Sequence, residues 1–190
     1  MFGLLDIYVL SLLDRGIETP YALHRQGGLS LGASTPSLRR LTAARLVKRK
    51  EEAGMTNRPR HVYTLTSSGR ELARNGWREY FQSGRLPSDL DGLLRLSDIA
   101  SHYGASPAEV ARLLKAASGR RATLARRAAA APEADNGLVY LSMRARCEAG
   151  RLKAEADVLG QIAAEMSAAR SHPLGSGKKL RSTTGLPKKR

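Results

Sequence analysis

Five side chains between positions 34 and 40 carry the donors that matter most in this chain: Ser34, Thr35, Ser37, Arg39 and Arg40. Hydroxyls and guanidinium forks packed this closely do not make or break bonds. They donate hydrogen bonds, and a guanidinium does so bidentately to a phosphate or to the acceptor edge of a guanine. The chemistry to expect of them is recognition of a polyanion. Arg58 and Arg60 add two more cations about twenty residues on.

Reactive residue types are not assembled in the same way. His24, His61, His102 and His172 are scattered without metal-ligand spacing, and the single cysteine, Cys147, has no nearby histidine in sequence. A phosphate-cradling glycine loop is also missing from the sequence. The expectation is therefore no enzyme, no catalytic residue, no metal and no cofactor. One cysteine cannot close an internal disulfide, which fits a reducing cytoplasm. The apolar opening "MFGLLDIYVLSLLDRG" has no basic leader and is interrupted by Asp6 and Asp14, so neither a signal peptide nor a membrane span is expected.

The 190 residues carry a formal charge of +15, and 42% are hydrophobic, enough for a true core. Residues 1–86 hold 14 Lys and Arg against 7 Asp and Glu, residues 87–170 hold 12 against 10, and residues 171–190 hold 6 against none. Such an excess favours nucleic acid over a membrane as partner.

The elements that must position these groups follow from spacing. Leu4, Leu5, Tyr8, Leu12 and Leu13 form the apolar face of a first helix that Gly16 stops. Thr19 and Pro20 open a short second helix through "YALHRQ", ended by Gly27 and Gly28. Thr35 and Pro36 repeat that cap-and-proline signal, so a third helix is expected from Pro36, with Leu38 and Leu41 inward and Arg39 and Arg40 outward. "LVKRKEE" and "RHVYTLT", separated by the turn residues of "AGMTNRP", read as a β-hairpin with a basic tip. Thr66 caps one further helix, "SSGRELARNGWREYF".

Beyond residue 86, "PSDLDGLLRLSDIASHYG" and the stretch from Ser106 to the alanines before Pro132 are two helices. Leu138, Leu141, Ala145, Ala149, Leu152, Ala156, Leu159, Ala163 and Met166 then recur at three- and four-residue steps, a heptad seam that needs a partner helix. A second subunit would supply it, the alternative being the chain's own helix from residue 107. Residues 171–190 have little to bury and are expected to be a disordered basic tail. The fold class expected is mainly α with a small β-hairpin wing: a winged helix-turn-helix domain over 1–86, a helical dimerisation domain over 87–170, and the tail.

Three stretches, "VLSLLDRGIETPYALHRQ", "LGASTPSLRRLTAARLVKRK" and "NRPRHVYTLTSSGRELA", resemble the PadR family of bacterial winged-helix transcriptional regulators in order and spacing over about eighty residues. Arg58, Pro59, Tyr63, Leu65, Thr66, Gly69 and Arg70 fit the family's pattern around the wing. Thr35 replaces the tyrosine that often precedes the helix proline, and Asn57 the glycine before the wing arginine. The resemblance implies double-stranded DNA as partner, a homodimer formed by the C-terminal helices, and a cytoplasmic, nucleoid-associated repressor. It further implies release by a small-molecule effector, for which Trp77, Tyr80 and Phe81 are the candidate lining. DNA-contacting residues would be Ser34, Thr35, Ser37, Arg39 and Arg40 on the third helix and Arg58 and Arg60 on the wing.

Two other arrangements compete. "IASHYGASPAEVARLL", residues 99–114, has the spacing of a second helix-turn-helix, although its recognition helix "PAEVARLLKAAS" carries only Arg112 and Lys115. An architectural or mobile-element DNA-binding protein would use the same fold without an effector.

Overall fold

The computed structural model describes residues 2–53, 59–84, 86–130 and 139–168. Arg58 and the rest of the hairpin tip, Pro132, Leu138 and the 171–190 tail lie outside the described residues. Among the described residues, eight helices and one hairpin run in the order α1 (Leu4–Asp14), α2 (Pro20–Arg25), α3 (Leu31–Ala43), β1 (Val47–Glu52), β2 (Arg60–Leu65), α4 (Ser67–Asn75), α5 (Arg78–Ser83), α6 (Leu90–His102), α7 (Pro107–Ala129) and α8 (Val139–Ala168). The mainly helical class with one antiparallel hairpin after an N-terminal helical region is the expected one.

Helix starts follow side-chain caps. Thr19, Thr66, Asp89 and Ser106 each accept the backbone N–H three residues on, satisfying one orphan donor of the helix they open. Glu109 reaches back to the Ser106 amide and completes a capping box on α7. That contact, chiefly the Ser106 hydroxyl, holds the Glu109 carboxyl below its usual range. Gly16 and Gly28, with φ of 83° and 63°, take the left-handed turns that follow α1 and α2.

The expected helix after Thr66 is two. The chain breaks at Gly76, where a Cβ would fall 2.7 Å from the Leu72 carbonyl oxygen, and α5 restarts with Trp77 turned inward. Trp77 is buried, its indole N–H donates to the Arg74 carbonyl at 2.8 Å, and Phe81 meets it edge to face at 5.1 Å.

Two hydrophobic clusters fill the interior. One gathers Val9, Leu10, Leu12 and Leu13 of α1 with Leu23, Leu29, Leu38, Leu41, Val47 and Ala73. The other joins Ile7 and Trp77 to Leu93, Leu96 and Ile99 of α6, Val110 and Leu114 of α7, and Leu159 of α8, so it crosses the boundary expected at residue 86. Helix α1 belongs to both. Tyr103, just past α6, ties the two regions through a hydrogen bond from its hydroxyl to Asp14 at 3.1 Å.

Much of the heptad seam is covered by the chain itself. Leu152, Ala156, Leu159 and Ala163 are buried, and α8 packs along α7 for most of its length. Ser118 of α7 donates to the Ala156 carbonyl at 2.8 Å. Buried Arg121 reaches Glu155 at 2.6 Å and the Ser88 carbonyl at 2.9 Å, fastening the helical pair to the segment ahead of α6. The start of α8 is different: Tyr140, Leu141 and Met143 are exposed.

Thr66 and Gly69 fix the base of the hairpin. A Cβ at Gly69 would lie 2.1 Å from the Leu46 carbonyl oxygen, so Gly69→Ala should cost about 2 to 3 kcal/mol, read as a lower urea midpoint. Burial first and Asp14 second push the Tyr103 phenol up to about 12. A phenol raised in the fold contributes stability that is complete below pH 10 and is lost as the pH climbs from there through about 12. Denaturation at graded alkaline pH should therefore show a loss over that window that Tyr103→Phe removes.

Candidate nucleic-acid interface

Helix α3 starts five residues earlier than its Thr35-Pro36 pair predicts. Ser30 is the N-cap, its hydroxyl accepting the Ala33 N–H at 3.2 Å, and Pro36 sits inside the helix. Proline there leaves the Gly32 carbonyl without its usual donor four residues on. Gly32 and Pro36 are both on the exposed side of α3, and the helix runs through the proline.

The extra turn decides which hydroxyls face out. Ser34 and Ser37 fall three to four residues from Leu38 and Leu41 and join their stripe, and both are fully buried. This corrects the expectation that they touch a partner. Ser37 instead donates to Asp6 Oδ1 at 2.6 Å. Arg40, expected to point squarely outward, turns its guanidinium to the same oxygen at 2.7 Å while its side chain stays about half exposed. The Gly3 amide holds Asp6 Oδ2 at 3.2 Å. A buried carboxylate on α1 thus anchors α3 through a hydroxyl and a guanidinium.

Thr35 and Arg39 remain on the open face of α3 with Pro36 and Ala43. The hairpin stands beside that face. Its register pairs Val47 with Leu65, Arg49 with Tyr63 and Glu51 with His61, so these six side chains share one face of the two-stranded ribbon. Val47 is buried at its base. Tyr63 N–H donates to the Glu18 carbonyl at 2.8 Å, pinning β2 to the segment ahead of α2. A groove of about 320 Å³ opens between helix and ribbon, lined by Leu38, Arg39, Thr42, Ala43, Arg49 and Tyr63.

Arg49 escaped the sequence reading, which placed the wing's cations at its tip. Strict alternation from buried Val47 was the available signal, since i+2 on a strand returns to the same face. Its guanidinium lies 3.3 Å from the His61 ring. Arg60 is on the other face and bonds Glu52 across the ribbon at 3.0 Å, holding that carboxyl below its usual range. Lys48 and Lys50 are exposed on that same face.

The aromatic trio expected to line one effector space does not converge. Trp77 is core, Tyr80 borders a cleft with Pro87 and Arg95, and Phe81 lines a separate groove of about 380 Å³ with Leu86, Leu113, Arg112 and Arg120. Residues 99–114 do form two helices about a left-handed Gly104. No described helix is long and apolar enough to cross a membrane.

Helix α2, a turn, helix α3 with an open cationic face, and a hairpin beside it make this a winged helix-turn-helix unit. No family model and no curated protein matches the chain. Among solved structures it is similar to the crystal structure of Bacillus subtilis PadR in complex with operator DNA, at 17% identity and a TM-score of 0.36 over 86% of this chain and 99% of that one.

The Asp6 anchor is testable by stability. Asp6→Ala leaves the buried Ser37 hydroxyl without its acceptor and should cost about 2 to 4 kcal/mol, and Arg40→Ala, which leaves the buried Asp6 carboxylate without its cation, should cost about as much, unlike an exposed ion pair at about 1 kcal/mol or less. Urea denaturation of the two variants gives the comparison.

Proposed function

We propose that the chain is a sequence-specific DNA-binding transcriptional regulator, acting in the cytoplasm as a homodimeric repressor. One observation carries this reading: Arg39 on the open face of α3 and Arg49 on the ribbon wall one groove, Thr35 is exposed a turn before Arg39, and Arg39 is held in no ion pair among the described residues. An exposed helix face of this size enters a major groove and reads base edges, while strand cations beside it neutralise phosphates. Arg39 takes the base-reading role and Arg49 the phosphate role. Arg60 serves as a second wing cation.

A single short helix reads only a few base pairs, so specificity calls for a twofold pair. The exposed Tyr140, Leu141 and Met143 at the start of α8 are the apolar surface proposed for it, in place of the seam residues that α7 covers. A small-molecule effector would enter beside Phe81, where Leu86 and Leu113 give an apolar floor and Arg112 and Arg120 a cationic rim. Such a ligand would change Trp77 fluorescence through the Trp77 and Phe81 contact.

A mobility-shift assay with the DNA upstream of the chain's own gene tests the main reading. Arg39→Ala should weaken binding to that duplex by about 1 to 3 kcal/mol and leave binding to random duplex nearly unchanged. Equal losses on both would move Arg39 to a phosphate role, and no binding by the unaltered protein would end the proposal. Sedimentation of Tyr140→Ser with Met143→Ser should show loss of the dimer.

A second reading, an architectural DNA-binding protein without an effector, is favoured by α7. Arg112, Lys115, Arg120, Arg126 and Arg127 are all exposed on it, and none is in an ion pair among the described residues. Footprinting separates the two: protection confined to one palindrome supports the regulator, and protection spread along the duplex supports the architectural role.

A further inference from the structure

Among the described residues, one that is not glycine has a positive φ: Arg45, at 58°. It follows α3 at the left-handed position that closes the helix, where the Leu46 amide donates back to the Leu41 carbonyl and the Arg45 amide to the Thr42 carbonyl, each at 3.0 Å. The Thr66 hydroxyl lies 3.0 Å from the Arg45 carbonyl and equally close to that of Leu46. Three contacts thus force the backbone into a conformation that a side chain resists and glycine adopts freely. Glycine is the ordinary occupant of this position.

The side chain that occupies it makes no hydrogen bond or ion pair among the described residues and is exposed. Within the fold its charge has only the C-terminal end of α3 to act on, a small gain at an exposed site. Its place in the chain is the corner between the open face of α3, with Arg39, and the first wing strand, with Lys48 and Arg49. We infer that Arg45 is a phosphate contact at the junction of recognition helix and wing, kept there at a cost to the backbone. This rests on the DNA-binding reading above and adds to it a residue whose effects on stability and on binding have opposite signs.

The opposition supplies the test. Arg45→Gly relieves the backbone and removes the cation, so the melting temperature should rise by about 2 to 4 °C while affinity for duplex falls roughly tenfold. The loss should be the same on upstream and random duplexes, and the slope of log K against log salt should shrink by about 0.9. Arg45→Lys, which keeps charge and backbone, should retain the wild-type slope, and Arg45→Gln should lose it without the gain in melting temperature. Binding by the Gly variant equal to wild type would overturn the inference while leaving Arg39 and the main proposal standing. A melting temperature that does not rise would remove its premise. Failure of the unaltered protein to bind any duplex would end both.

Discussion

A single carboxylate sets the orientation of the helix surface on which the DNA-binding proposal depends. Asp6 is almost wholly buried on α1, and an anion in that position is tolerable only when its oxygens are met by donors. Ser37 and Arg40 meet one oxygen, and the Gly3 amide the other. Because two of those donors belong to α3 and stand three residues apart, they fix its rotation about its own axis. Thr35 and Arg39 are outward because Ser37 is inward. An apolar contact would hold α3 in place without selecting so narrow a rotation, since dispersion and burial are not directional.

That same contact explains where the sequence misled. Caps at Thr19, Thr66 and Ser106 were legible because each is a local bargain between a hydroxyl and an amide three residues on. The hairpin was legible from β-branched runs around a turn, and its strands run as expected. Ser34 and Ser37 were not. A serine on a helix with Arg39 and Arg40 looks like a partner-facing donor until the packing around it is known: the acceptor of Ser37 is 31 residues away, and the Ser34 hydroxyl is buried with no partner among the described residues. The start of α3 was missed for a related reason: two cap signals, Ser30 and Thr35, compete within six residues, and the proline favours the wrong one locally. In the fold Ser30 is the cap, its hydroxyl accepting the Ala33 N–H, and Pro36 lies inside the helix.

The C-terminal helices show how far periodicity goes. Three- and four-residue spacing announced that α8 needs a helix against it, and α7 meets that need through Leu152, Ala156, Leu159 and Ala163. Periodicity names a stripe and leaves its occupant open. Buried Arg121, paired with Glu155 and capping the Ser88 carbonyl, then fastens that pair to the chain ahead of α6. Charge follows a complementary pattern: Arg151 of α8 is neutralised by Glu148 and Glu155, while the exposed Arg112, Lys115, Arg120, Arg126 and Arg127 of α7 are in no ion pair among the described residues.

Asp6 and Ile7 are neighbours in the chain, yet they serve different halves of the molecule. The first holds α3; the second is packed among α6, α7 and Trp77. A helix is stiff over one residue, so the two attachments move as one. The attachments of the two halves therefore stand one peptide unit apart within the first turn of α1, and that turn is the shared footing on which both are built.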